Sequence, residues 1–216
     1  KFNQPLWLGE ADLSGKTIFL YAEQGFGDFI QFCRYVFMVE KLGATITLLV
    51  PEELYELAQS LSTRFTYIAR HGTETKLTGH YDFHCPLMSL PLAFKTKLET
   101  IPAQVPYLSV PSHAKKTWSE KLGAKSKLRV GLVWSGAAGH LNDVNRSLTL
   151  QALLPVLHID VEYHVLQKEI RLADVTTLNE LKTQYQIATH FDELLSFTDT
   201  AALIDEMDLI ISVDTS

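Results

Sequence analysis

Three polar stretches of this 216-residue chain carry side chains that could do chemistry, and each follows an apolar run. The first is Gln24-Gly25-Phe26-Gly27-Asp28, after Thr17 to Ala22. The second runs from Ser135 to Ser147 and holds Ser135, Gly136, Gly139, His140, Asn142, Asp143 and Arg146, after Leu128 to Trp134. The third is Asp214-Thr215-Ser216, after Leu209 to Val213. An exposed carboxylate at a strand end can act as a general base. Loops at the carboxyl ends of parallel strands are where phosphate and sugar ligands sit in open α/β sheets. Arg146 can grip a diphosphate through two parallel hydrogen bonds, and Lys168, closing the run Leu166-Gln167-Lys168, can add a point charge.

Each stretch also has a plainer reading. Asp28 can serve as the N-cap of a helix that opens there, accepting from the amide of residue 30 or 31, with Gln31 completing a capping box. The Ser135 loop can be solvated, with Arg146 paired to Asp143. Gly25-Phe26-Gly27 matches a dinucleotide fingerprint only in part, because Ile30 stands where the third glycine belongs; Glu52 and Glu53 have the spacing of a ribose-binding acid but follow Pro51 at a helix start. Gly15-Lys16-Thr17 fails as a phosphate-binding loop, since it precedes a strand and lacks the first glycine. His80, Asp82 and His84 alternate along one run next to Cys85, yet no matched ligand pair exists elsewhere, so no metal site is expected.

The elements that must hold these loops follow from periodicity. Thr17–Ala22, Ala44–Val50, Phe65–Ala69 and Tyr81–Cys85 read as strands, with helices opening at Asp28 and at Pro51, the latter running to about Leu61. Cys85 to Phe94 reads as an apolar loop stiffened by Pro86 and Pro91, followed by a short strand at Tyr107–Val110 and a helix from Ser112 to Leu122. Gly123 to Lys127 is short, polar and basic, and is taken as the linker. The pattern then restarts with strands Leu128–Trp134, Val161–Leu166, Gln186–Ala188 and Leu209–Val213, and helices at Thr149–Leu157, Ala173–Thr183 and Asp199–Met207, the last capped by Thr198 or Asp199. Strands alternating with helices imply parallel sheets with right-handed crossovers. The expected organisation is α/β: an N-terminal domain over 1–125 and a partial second domain over 126–216, facing a cleft.

Composition narrows the partners. Hydrophobic content of 46% with 20% charged residues is that of a globular chain, and a net charge of −6 disfavours nucleic acid and anionic membranes. No apolar run reaches the ~20 residues of a membrane helix. Two cysteines with apolar neighbours read as buried thiols in a reducing compartment, which points to the cytoplasm. The chain starts without methionine and stops after a strand whose helix has yet to come, so a piece of a longer protein is expected.

With these residues in hand, the chain resembles the heptosyltransferase-like (family 9-like) glycosyltransferases found as the C-terminal part of bacterial tetratricopeptide-repeat proteins. The matching stretches are YAEQGFGDFIQFCRY, YDFHCPLMSLPLAF, IPAQVPYL, VGLVWSG with HLNDVNRS, LQK, FTDTAALI and DLIISVDTS, in order from about Trp7 to Ser216. The resemblance implies a GT-B architecture of two Rossmann-like domains, the second truncated here. It implies inverting, metal-independent transfer of a sugar from a nucleotide-sugar donor to a hydroxyl of a glycan, lipid or protein, with no cofactor. Asp28 would be the base, with Gln24, Gly25, Gly27, Gln31 and Met88 on the acceptor side. Ser135, Gly136, His140, Asn142, Arg146, Lys168, Asp214 and Thr215 would face the donor. Ser216 stands where related enzymes often have glycine. The rival expectations are a non-catalytic nucleotide- or sugar-binding module of a repeat protein and an NAD-type enzyme.

Overall fold

The computed structural model describes residues 3–72 and 79–215; Ser216 of the third polar stretch lies outside them. The chain divides into two compact units, Lys1–Ser109 and Val110–Ser216. Each is built on one four-stranded, all-parallel sheet.

In the first unit β1 (Thr17–Tyr21) leads into α1 (Phe26–Phe32), a 3-10 turn at Cys33–Tyr35 and α2 (Val36–Lys41). Gly43, with φ of 81°, ends that helical stretch, where a residue with a Cβ would be strained. β2 (Thr45–Pro51) follows, then a 3-10 turn at Glu52–Leu54, α3 (Tyr55–Ala58) and β3 (Thr66–Arg70). The helix expected from Pro51 to Leu61 is thus a 3-10 turn and a single α turn. β4 (Phe83–Pro86) begins two residues later than expected, because Asp82 is spent outside the strand on Thr17: its carboxylate accepts from the Thr17 amide at 2.8 Å and hydroxyl at 2.9 Å. A 3-10 turn at Leu87–Ser89 and α4 (Leu90–Ala93) realise the proline-stiffened loop. The strand order is β3-β2-β1-β4. Ile18, Phe19 and Leu20 of the central β1 are fully buried, as a strand covered on both faces requires. Cys33 and Cys85 are buried free thiols, each pushed up to about 12 by burial. Residues 107–110 form no strand: Tyr107 is held by side-chain bonds to α1 and its neighbours instead of a ladder.

The second unit opens with α5 (Ser112–Leu122), and this corrects the expected boundary at 125/126. Ala114 and Trp118 of α5 are buried with Leu166 just after the strand Val161–Val165, with Leu194 of a loop, and with Ala202 and Leu203 of the helix Phe197–Asp205. Leaving Trp118 in water would forfeit about 3 kcal/mol, so α5 belongs where that surface is covered. Its end is tied there too. Arg129, 1% exposed, donates to the carbonyls of Leu122 and Gly123 at 2.9 Å each and faces Glu162 and Glu206 at 3.4 Å.

β5 (Leu128–Val133), α6 (Asp143–Arg146), β6 (Val161–Val165), α7 (Leu172–Leu181), β7 (Gln186–Thr189), α8 (Phe197–Asp205) and β8 (Leu209–Ser212) complete the unit in the order β7-β6-β5-β8. Leu150–Val156 is 3-10 instead of the expected α-helix, with Pro155 inside it unable to donate an amide. α8 is capped by Ser196, not Thr198 or Asp199; Asp199 sits three residues in and accepts the Ser196 amide at 3.1 Å. One face of the sheet packs Leu132, Trp134, Leu150, Val165 and Leu178. On the other, His164 and His190 stack with 3.0 Å between Nδ1 and Nε2; His164 Nε2 lies 3.1 Å from Glu162, and His190 Nδ1 lies 3.0 Å from Glu193.

Candidate functional site

Both sheets reverse direction of strand order at their first strand: β2 lies on one side of β1 and β4 on the other, and β6 and β8 flank β5 in the same way. The carboxyl ends of such strand pairs are where open α/β sheets place ligands. All three sequence-derived stretches emerge at these points.

In the first unit Tyr21 is in register with Pro86, so the turn after β1 and the Leu87–Ser89 turn leave the sheet side by side, and α1 packs against the latter. This brings Gln24, Gly25, Gly27 and Asp28 to the same edge as Met88. The helix starts at Phe26, two residues before the expected position, with Gly25 as N-cap. Asp28 is therefore not the cap but the third helical residue, and its Oδ2 accepts the Gly25 amide at 3.1 Å. Glycine has no side chain to return the bond, so this is half a capping box. Oδ1 receives no hydrogen bond among the described residues. The glycines do not make a left-handed turn; Gly25 has φ of −67°. Gln31 lies on the same face of α1 one turn on, exposed, its carbonyl accepting Arg34 Nε at 2.9 Å. Glu52 and Glu53 border a separate 190 Å³ hollow with Phe26 and Arg70, and Glu52 is paired with His71 at 2.8 Å.

The second unit holds the denser constellation. Ser135 is buried and its hydroxyl accepts from Gln167 Nε2 at 3.1 Å, while Gln167 Oε1 accepts the amides of Trp134 and Ser135 at 3.0 and 3.3 Å. Ser135 therefore shapes the turn and does not face outward. Gly136 allows the chain to pass under Arg146: a Cβ there would lie 2.7 Å from Arg146 Nη2 and 3.1 Å from Thr215 Oγ1. Arg146 crosses from its own loop to the end of β8, donating to the Asp214 carbonyl at 3.3 Å. The structure thus joins Gly136, Arg146, Asp214 and Thr215, as their positions in the sequence suggested. Asp143 is buried, and its partner is not chiefly Arg146, whose Nε is 3.8 Å away, but Arg171 at 2.5 Å. The hydroxyl of Ser147, donating at 2.6 Å, and Arg171 hold the Asp143 carboxyl below its usual range. Arg171 Nη2 also donates to Ser147 Oγ at 3.0 Å and to the Gly136 carbonyl at 3.3 Å.

Two guanidinium groups thus meet at one strand end, with one buried carboxylate between them. The Nε–H of each is buried and has no hydrogen-bond partner among the described residues. Buried donors of this kind cost about 1–3 kcal/mol unless a partner arrives, so they favour an incoming anion. Arg171 and Gln167 were missed by sequence reading. Arg171 could have been found from its place just before a helix, three residues past the expected charge Lys168. Lys168 itself is exposed and makes no hydrogen bond or ion pair among the described residues. His140 and Asn142 are exposed and engaged locally: His140 Nδ1 accepts the Asn142 amide at 3.1 Å and Asn142 accepts Asn145 Nδ2 at 2.6 Å.

The architecture is that of an α/β protein with one four-stranded parallel sheet in each unit, and two guanidinium groups gather at one strand end of the second. No protein-family model matches the chain, and no curated protein matches its sequence. Among solved structures it is similar to a glycosyl transferase family 9 protein from Veillonella parvula DSM 2008, with a TM-score of 0.61, 12% identity, and coverage of 94% of this chain and 77% of that one. At that identity the likeness is one of fold. No helix among the described residues is long and apolar enough to cross a membrane.

Proposed function

We propose that the chain is a glycosyltransferase domain of GT-B type that moves a sugar from a nucleotide-sugar donor to an acceptor hydroxyl with inversion and without a metal. The observation that carries this reading is the Arg146–Arg171 pair at the end of β5, two cations with buried unused donors beside Gly136 and Thr215. In the reaction an acceptor hydroxyl oxygen attacks the anomeric carbon, its proton passes to Asp28 Oδ1, and the bond from that carbon to the diphosphate breaks. The two arginines take up the charge that develops on the leaving diphosphate, the task a divalent ion would otherwise perform. Exposed Asp214 suits a ribose or sugar hydroxyl better than a phosphate, which its charge would repel. In the same reading, upstream tetratricopeptide repeats recruit the glycan, lipid or protein acceptor, and the reaction takes place in the cytoplasm, where the buried thiols of Cys33 and Cys85 persist.

A second reading, a binding module without turnover, is favoured by one observation: Asp28 already serves α1 by accepting the Gly25 amide. The variant Asp28→Asn separates the two, because asparagine keeps an acceptor for that amide but cannot take a proton. Transfer should be abolished while nucleoside diphosphate affinity, read by calorimetry, stays within a few-fold. Unchanged turnover in this variant would remove Asp28 from the mechanism. Binding of NADH with no binding of UDP, ADP, GDP or CMP would remove the donor site.

A further inference from the structure

Arg171 stands at an unfavourable place in the chain. It is the N-cap of α7, with φ of −65° and ψ of 140°, and its carbonyl accepts the Asp174 amide at 2.8 Å. Serine, threonine, aspartate and asparagine suit such a position because they accept a free helix amide, which a guanidinium cannot do, and the helix dipole disfavours a cation at this end. Asp174 occupies the third helical position, from which the acid of a capping box bonds the N-cap amide. Among the described residues it makes no such bond and turns inward, its Oδ2 accepting the indole Nε1–H of Trp134 at 2.9 Å and its Oδ1 the amide of Leu150 at 3.0 Å. Local preference is thus broken twice within four residues, as happens where a functional side chain has to be held.

The same tryptophan is held from the other side of Arg171. Gln167 Oε1 accepts the amides of Trp134 and Ser135, and its Nε2 donates to the Ser135 hydroxyl and, at 2.8 Å, to the carbonyl of Glu169. A glutamine amide can donate twice and accept twice, so Gln167 is fully spent. Trp134, Gln167 and Asp174 are all buried. The segment 167–174 is therefore fastened at both ends to the residue that follows β5, once through the Trp134 backbone amide and once through its indole. Arg171 lies between the two fastenings, with its Nη2 on the Gly136 carbonyl. Lys168 shares the segment but is exposed and makes no bond among the described residues.

A long side chain loses rotamer freedom when it grips a ligand, and a frame that already fixes its backbone and one terminal nitrogen reduces that loss. Gln167 has no bond left to offer a ligand, and both oxygens of Asp174 are engaged, so these two act through Arg171 and touch no substrate themselves. We propose that Gln167 and Asp174 are positioning residues, anchored on Trp134, that present the buried Nε–H of Arg171 to an incoming diphosphate. The inference rests on the glycosyltransferase reading for the diphosphate, but not for the frame that holds Arg171.

Two measurements on the full chain test it. One is calorimetry with UDP, ADP, GDP, CMP and inorganic pyrophosphate; the other is the NMR order parameter of the Arg171 Nε–H, its signal being the one lost in Arg171→Leu. Gln167→Glu still accepts both amides but cannot donate to Ser135 or Glu169, and Asp174→Asn keeps the size of the side chain and one acceptor. Each should weaken the tightest-binding of the five ligands about fivefold and lower the order of the Arg171 Nε–H. In an Arg171→Leu background each should change Kd by less than about twofold, because nothing is left to position. Should Asp174→Asn unfold, Gln167→Glu, which keeps the amide bonds, decides alone. Equal losses of affinity in both backgrounds, or an Arg171 Nε–H as ordered in the variants as in wild type, overturn the inference and leave the donor reading standing. Loss of order in the variants, with none of the five ligands binding wild type, would uphold the frame around Arg171 and defeat the glycosyltransferase reading alone.

Discussion

Arg171 and Lys168 are three residues apart, and the two compete for the place of second cation in the proposed donor site. The sharpest perturbation is therefore the pair of variants Arg171→Leu and Lys168→Ala. Arg171 spends one terminal nitrogen on Asp143, Ser147 and Gly136, which leaves its buried Nε–H and its other terminal nitrogen for a ligand. A hydrogen bond to a charged group contributes about 1.5–3 kcal/mol, or about 10–150-fold in Kd. The Arg171 side chain is 34% exposed, so solvent screening places the expectation near tenfold. Lys168→Ala should change Kd by less than about threefold, as an exposed side chain with no held geometry does. Calorimetric titration with UDP, ADP, GDP and CMP reads both variants. Arg171→Leu also strands the buried Asp143, so its Tm should fall, and Arg171→Leu combined with Asp143→Asn should recover Tm while Kd stays weak. Wild-type affinity in that double variant, or a larger loss from Lys168→Ala, would refute the assignment of Arg171.

Two further outcomes concern stability. His164 is pushed down to about 4, first by burial, with Glu162 opposing and His190 and Arg129 adding to the shift, so the unfolded chain binds more protons below its ordinary value near 6.5. The stability held by neutral His164 is complete above pH 6.5 and is lost as pH falls toward 4. Urea unfolding across that window should show the slope, and His164→Gln should flatten it; an unchanged slope would place the titration elsewhere. The hydrogen bonds of Lys125 to Asp208 and of Ser147 to Asp143 hold those carboxyls low, so they contribute at more acid pH and do not blur the window. Arg129→Met should destabilise the second unit by about 3–5 kcal/mol, since it leaves Glu162 and Glu206 facing a buried, uncompensated space; a loss below about 1 kcal/mol in denaturant titration would show that the network is not buried in solution.

Strands, their parallel arrangement and the division into two units are legible in the sequence because buried runs and glycine or proline punctuation are local signals. The boundary is not. Gly123 to Lys127 has the composition of a linker, yet what decides ownership of α5 is Trp118 packing against residues some 80 positions away. Asp28, Gly136, Arg146, Asp214 and Thr215 announced themselves by following strands. Gln167 and Arg171 did not, because glutamine under a turn and arginine before a helix look like ordinary polar residues until the fold brings Trp134, Ser135 and Asp143 to them.

The use of one strand order twice has a further meaning. The turn after β1 and the loop after β5 are the same loop of the same motif, laid on two sheets, and the backbone beneath each is fixed by strands buried on both faces. What distinguishes their surroundings is charge: a carboxylate at Asp28 by the first, and by the second two guanidinium groups, Arg146 from the loop itself and Arg171 from the start of α7, around the carboxylate of Asp143. In the proposed reaction the first of these strand ends would accept a proton and the second an anion, on the same strand order. Exchanging a few side chains at either rim would change which molecule is held without asking the sheets to move.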